Sequence, residues 1–198
     1  SQTQTIRNWW GSGVVIPGRG FIMNNAMADF SAKAGVRTTQ GLAYGVANAI
    51  RPGKTPLSSM SPTIVMKDGK PVLSVGAAGG PRIITSTLQL IINNLDYGMM
   101  MDSAVKHPHM CCLTLNQGLE LEEGFSPDTI KLLAAKGHII KNTTDFGELL
   151  VMPNGIRNID GTFFPGGTSR VDGGGGALTA SGTMAIDGLC FIDEKLTK

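Results

Sequence analysis

The chain has 198 residues, enough for one domain with a sizeable core. Its 17 Lys and Arg against 15 Asp and Glu leave a formal net charge of +2. That near-neutrality, with no Lys/Arg cluster interleaved with aromatics, argues against nucleic acid as a partner, and no apolar run approaches the length of a membrane span.

The opening Ser1–Trp10 is polar, has no apolar signal-peptide core and no initiator Met, so the chain is expected to begin inside a longer gene product or after processing. Its alternation reads as a strand to Gly13, with a Gly-Ser-Gly turn at the end. Val14 to Met23 holds a Pro-Gly-Arg-Gly turn between two apolar pieces, a strand–turn–strand unit. Met27 to Phe30 reads as a short helical turn. Ser31 to Thr55 is rich in Gly, Ala, Thr and Pro, which predicts a long ordered loop, with Trp9 and Trp10 packed over it.

Next come two apolar runs, Thr63–Met66 and Val72–Val75, on either side of Lys67-Asp68-Gly69-Lys70. That pattern predicts a hairpin. The second strand leads to Gly79-Gly80 and a helix starting near Pro81. Small residues there let backbone N–H groups face an open site, and a helix N-terminus adds positive potential, so the turn suits an oxyanion or a carboxylate. Ile84, Leu88, Ile91 and Leu95 then recur at helical spacing to Tyr97, where Gly98 stops the helix.

A second helix is predicted over 99–106, ended by His107-Pro108, and a strand over Leu119–Glu122. Ser126-Pro127-Asp128 starts a third helix, running to Lys136 with Gly137 at its end. His138–Lys141 and Glu148–Met152 read as strands, Pro153-Asn154-Gly155 as a turn, and Ile156 to Phe164 follows. Cys111, Cys112 and Cys190 form neither a disulfide framework nor a zinc pattern, and read as buried or inert thiols. His107, His109 and His138 stand in no metal spacing and read as structural or exposed.

Three stretches carry a resemblance. Pro56-Leu-Ser-Ser-Met-Ser-Pro-Thr-Ile-Val65, the Gly76-x-x-Gly79-Gly80-x-Arg82-Ile-Ile-Thr85 segment and Asn24-Asn25-x-Met27-x-Asp29-Phe30 are similar to the small subunit of the γ-glutamyltransferases (glutathione hydrolases). The likeness runs from about Thr3 to Gly176. It sets a domain over 1–176 that lacks its first strand and leaves 177–198 as a tail of unknown role, read as an edge strand with a charged end.

The resemblance implies an α+β fold, the αββα sandwich of the N-terminal-nucleophile hydrolases, here incomplete. It implies a precursor that cuts itself, so that the small subunit begins with a threonine whose α-amino group serves as its base. By register that threonine lies roughly twenty residues upstream of Ser1. The implied reaction cleaves γ-glutamyl amides such as glutathione through an acyl-enzyme, then passes the acyl group to water or to an amino acid or peptide. No metal or organic cofactor is implied. The implied partner is the large subunit of the same precursor. The resemblance suggests a periplasmic, extracellular or membrane-anchored protein.

Residue by residue, Thr5 matches the threonine that bonds to the nucleophile. Asp29 matches the aspartate that holds the substrate α-ammonium. Ser58 and Ser59 match the pair that binds its α-carboxylate, and Gly79 and Gly80 the oxyanion hole. Four places depart. Arg7 stands where the family has Asn, Ala26 where it has Gln or Glu, and Pro81 where it has Ser or Thr. The family's Pro-Arg-x-His-His-Gln segment reads Pro108-His109-Met110-Cys111-Cys112. Arg7 could pair with a carboxylate. Two alternatives follow: a related acylase of glutaryl-cephalosporin type, or an inactive paralogue or fragment kept as a binding module.

Overall fold

The computed structural model describes residues 4–7, 10–38, 42–114, 118–142 and 151–169, and the backbone of strands at 175–178 and 184–187. Contacts group these into a unit of residues 2–58 and one from Ser59 onward.

In the second unit the Asp-Gly signal works as expected. β1 (Thr63–Lys67) and β2 (Lys70–Ala78) pair antiparallel, with Lys67 opposite Lys70. Asp68 and Gly69 both have positive φ, 50° and 74°, the backbone a two-residue hairpin turn demands. β2 runs three residues past the predicted Val75 and alternates: Leu73 and Val75 are buried. At Gly79 and Gly80, with φ of 142° and 61°, the strand breaks into a short 3-10 turn (Gly80–Arg82) and then α1 (Ile83–Leu95).

Of the four helically spaced residues, Ile91 packs against the core. Ile83, Thr87, Leu90 and Asn94 are covered, while Ile84, Leu88 and Leu95 stay exposed. The buried face is only partly apolar, since Ser86, Thr87 and Asn94 lie on it beside Ile83 and Leu90. After Gly98, α2 (Met101–Lys106) returns over the sheet. Leu73, Val75, Leu90, Met101, Ala104 and Val105 form one core between strands and helices. Burying each large side chain among them contributes about 1.5–3 kcal/mol.

The expected turn at Pro153-Asn154-Gly155 is instead strand. β6 (Met152–Ile159) pairs with β2 across Ala78–Leu73, and β7 (Thr162–Gly166) pairs with β6, giving the order β1-β2-β6-β7. Pro153 is tolerated because β7 reaches only Gly155, leaving one neighbour at Pro153. Gly155 serves close approach: a Cβ there would meet the Ser74 carbonyl oxygen and Val75 Cγ1 at 2.8 Å and Met101 Sδ at 2.9 Å. The real turn is Asp160-Gly161, within the predicted Ile156–Phe164 piece, again with both φ positive, 51° and 86°.

A smaller sheet follows the order β3-β4-β5. β3 (Met110–Cys111) was not predicted. β4 (Leu119–Leu121) runs antiparallel to β3 and parallel to β5 (Ile140–Asn142), with α3 (Pro127–Ala135) as the crossover. The Ser126 cap forms as predicted: its Oγ accepts the Thr129 N–H at 3.1 Å. β5 begins two residues later than expected; of the predicted strand at 148–152, residues 148–150 lie outside the described residues and Met152 belongs to β6. The tail is a hairpin, β8 (Gly175–Leu178) with β9 (Met184–Asp187), which crosses the boundary set at 176 and replaces the single edge strand expected.

One ion pair ties α1 to the small sheet. Arg82, the residue before α1, places Nε 2.8 Å from Glu120 Oε2 and Nη2 3.0 Å from Oε1, with both side chains largely covered. The Glu120 hydrogen bond holds the guanidinium pKa above its ordinary value against the pull of burial. Nearby, burial pushes the Cys111 thiol up.

In the unit of residues 2–58 the predicted opening strand is absent among residues 4–7. The Arg7 N–H bonds to Thr5 Oγ1 at 2.9 Å and Arg7 has φ 71°, so a side-chain turn replaces extended backbone. Residues 14–23 turn back on themselves as predicted, but through a single Val15–Ile22 bridge and without the two strands expected. The helical turn falls at Ala26–Asp29. The long loop is ordered by a Ser31–Ala49 bridge, an Arg37–Ala43 bridge and a 3-10 turn at Val46–Asn48. Trp10 is exposed and not packed over it; Trp9 lies outside the described residues.

Three single substitutions and one double-mutant cycle test this architecture. Gly155→Ala is expected to lower stability by about 1–3 kcal/mol through overpacking, read from the urea midpoint. Gly161→Ala, in open space, should cost only turn strain of about 1 kcal/mol. Glu120→Ala should cost about 2–3 kcal/mol by stranding a covered guanidinium, and a double-mutant cycle with Arg82→Ala should return about 1–2 kcal/mol of coupling.

Candidate active site

The residues singled out from sequence fall in both units, and each group has its own geometry.

In residues 2–58, Thr5, Arg7 and Asp29 form one cluster. Arg7 Nε lies 2.6 Å from Asp29 Oδ1, and its Nη2 donates to the Ala28 carbonyl at 3.3 Å. Both charged side chains are about one-third exposed, 31% each. The Arg7 backbone is fixed in turn by Thr5 Oγ1. Tyr44 belongs to the same neighbourhood: burial raises its phenol pKa, Asp29 raises it further and Arg7 opposes.

Sequence reasoning missed the residue that anchors this cluster. Asn48 Nδ2 donates to the Asp29 carbonyl at 2.7 Å, and Asn48 Oδ1 accepts the Leu57 N–H at 3.0 Å. One amide thus joins the turn that carries Asp29 to the residue before Ser58. The Asn48 carbonyl also accepts from Ser31 N–H at 2.9 Å. Lys54 Nζ donates to the Ala47 and Ala49 carbonyls on either side of it. A lone polar residue within Val46-Ala-Asn-Ala-Ile50 is the only sequence signal of this role. Ala26 sits in the 3-10 turn with its N–H on Asn24 Oδ1 at 2.9 Å. Ser58 is exposed on its surface.

From Ser59 onward, the Ser59 hydroxyl donates to the Gly80 carbonyl at 2.8 Å. Ser61 Oγ donates in turn to the Ser59 carbonyl at 3.0 Å. These bonds hold the Gly79-Gly80 turn to the chain entering β1. Behind the turn, the Arg82 N–H reaches the Gly79 carbonyl at 3.4 Å, and Thr85 Oγ1 donates to the Arg82 carbonyl at 3.1 Å. Arg82 itself is clamped by Glu120. The positive φ values at Gly79 and Gly80 explain why this turn uses glycine twice. A rigid strand-to-helix turn of this kind can aim N–H groups at a developing negative charge.

The histidines have other partners. His109 is buried; the Glu122 carboxylate accepts its backbone N–H at 2.8 Å and lies 3.8 Å from its Nδ1. His107 meets the edge of the Phe125 ring. Cys111 is buried and Cys112 is exposed; Cys190 lies outside the described residues.

A family model described as Gamma-glutamyltranspeptidase matches residues 1–174. The chain is 47% identical over 156 residues to the glutathione hydrolase proenzyme of Escherichia coli (strain K12), a match over 77% of this chain and 27% of that protein. It spans about a quarter of the length of the first curated relatives it matches. Among solved structures, a mutant gamma-glutamyltranspeptidase from Helicobacter pylori superposes with a TM-score of 0.77 at 39% identity, covering 86% of this chain and 92% of that one. A cephalosporin acylase from Bacillus halodurans superposes with a TM-score of 0.67 at 25% identity, covering 88% and 29%. The incomplete α+β fold expected from sequence is therefore of this type. With its family model matched along almost the whole length, the chain belongs to the gamma-glutamyltranspeptidase family.

Proposed function

We propose that this chain supplies most of the catalytic small subunit of a γ-glutamyltransferase, an enzyme that cleaves γ-glutamyl amides such as glutathione. The observation that carries the reading is the clamped Gly79-Gly80 turn at a strand-to-helix junction, in a chain of this family. In this reading the N–H groups of Gly79 and Gly80 stabilise the oxyanion of the tetrahedral intermediate. Each such donor is worth about 3 kcal/mol. Asp29 binds the substrate α-ammonium, and Ser58 and Ser59 its α-carboxylate. Thr5 positions the nucleophile, a threonine that precedes Ser1 by register. Its hydroxyl attacks the γ-carbonyl while its own α-amino group takes the proton, and that proton passes to the leaving nitrogen as the C–N bond breaks and the amine departs. Water or an acceptor amine then releases the acyl group.

The proposed partner is the remainder of a proenzyme, the form named for the Escherichia coli relative. Two exposed apolar faces support it: Ile64 and Met66 on β1, and Ile84, Leu88 and Leu95 on α1.

The test uses the complete precursor and a γ-glutamyl anilide. Anilide release is expected, and its absence above the level of a nucleophile Thr-to-Ala control would overturn the reading. Gly80→Ala places a side chain at φ 61° in the turn and is expected to lower kcat about 100-fold, with KM changing less.

A further inference from the structure

We propose that Arg7 is a specificity-determining residue, which shifts the acyl site from γ-glutamyl groups toward acyl chains that carry a carboxylate but no ammonium, such as glutaryl. This rests on the reading above, in which Asp29 faces the acyl group.

The Asp29 carboxylate already has a cation. Arg7 Nε sits 2.6 Å from Oδ1, and its Nη2 holds the neighbouring Ala28 carbonyl at 3.3 Å. Both ends of the pair are anchored through backbone. Thr5 Oγ1 fixes the Arg7 N–H, and Asn48 fixes the Asp29 carbonyl.

An incoming α-ammonium therefore meets a neutral pair, not an anion. It must displace the guanidinium or share one carboxylate with it. Either way the charge attraction that would favour an ammonium is largely spent. A substrate carboxylate meets the opposite situation, because guanidinium N–H groups beyond the one on Asp29 can still donate to it. Discrimination between two acyl groups is a difference of affinities; both groups carry the carboxylate, so Arg7 acts on that difference through the ammonium, which only the γ-glutamyl group has. An uncharged residue at position 7 would leave Asp29 as a free anion and reverse the bias.

The experiment compares the complete precursor with Arg7→Asn, Arg7→Lys and Asp29→Asn, on γ-glutamyl and glutaryl anilides. The ratio of kcat/KM for γ-glutamyl over glutaryl should rise about tenfold or more in Arg7→Asn, mainly through KM. Arg7→Lys, which keeps the charge, should retain a ratio within about threefold of the unsubstituted protein. A purely structural role for the pair would lower both substrates together and leave the ratio unmoved. If Arg7→Asn leaves the ratio within about twofold while Asp29→Asn changes γ-glutamyl turnover, Arg7 does not set specificity and the inference is overturned. If Asp29→Asn moves neither substrate, Asp29 does not face the acyl group, and the underlying reading falls together with the inference.

Discussion

The unit from Ser59 onward depends on one close approach: the start of α2 seated on two adjacent glycines. Val75, Gly155 and Gly166 stand side by side on β2, β6 and β7. Met101 presses into the gap. A Cβ at Gly166 would come within 2.7 Å of the Met101 carbonyl, and one at Gly155 would strike Met101 Sδ. With those side chains absent, Met101 is fully buried and Leu73, Val75 and Leu90 close around it. Arg157 adds polar support by donating to the Gly98 and Met99 carbonyls, at 3.2 and 2.7 Å. The α1–α2 connection is thus fixed at both ends, and with it the line along which α1 leaves the Gly79-Gly80 turn.

Two arginine–carboxylate pairs lie at candidate functional places, and their surroundings give them different work. Arg82–Glu120 is bidentate and mostly covered. Removing either partner leaves a desolvated charge, so its effect is mechanical: it holds the end of the glycine turn against the small sheet. Arg7–Asp29 is monodentate and one-third exposed. Surface pairs of that kind contribute little to stability. Its weight is electrostatic and local, since it decides whether Asp29 presents itself as an anion.

Much of this fold was legible in the sequence wherever the signal was local. Asp68-Gly69 announced its hairpin, Ser126-Pro127 its helix start, and Gly79-Gly80 the strand-to-helix break. The errors came where the deciding contact is remote. Gly155 reads as a turn residue beside Pro153 and Asn154, yet it is small because Ser74, Val75 and Met101 crowd it from far along the chain. The same pull toward 153–155 hid Asp160-Gly161, a dipeptide identical to the one read correctly at 68–69. In α1 the apolar spacing marks Ile84, Leu88, Ile91 and Leu95, yet the covered face includes Ser86, Thr87 and Asn94, which periodicity of apolar residues does not mark. The candidate residues were found by motif, but their partners were not. Arg7 and Asp29 are 22 positions apart, and Asn48 reaches Asp29 across 19. No spacing rule connects such pairs.

The unused stripe of α1 carries its own argument. Ile84, Leu88 and Leu95 line a helix whose opposite side is already packed, and Ile64 and Met66 line the uncovered side of β1. A layer with apolar residues on both sides is an inner layer, because each side gains by leaving water. The Gly79-Gly80 turn joins α1 to β2, the strand paired with β1. A covering layer would therefore do more than complete the packing. By excluding water beside the turn it would lower the local dielectric, and N–H groups aimed at a developing charge act more strongly there. In this reading the proposed partner and the proposed chemistry are linked: covering the apolar stripe prepares the electrostatics of the turn.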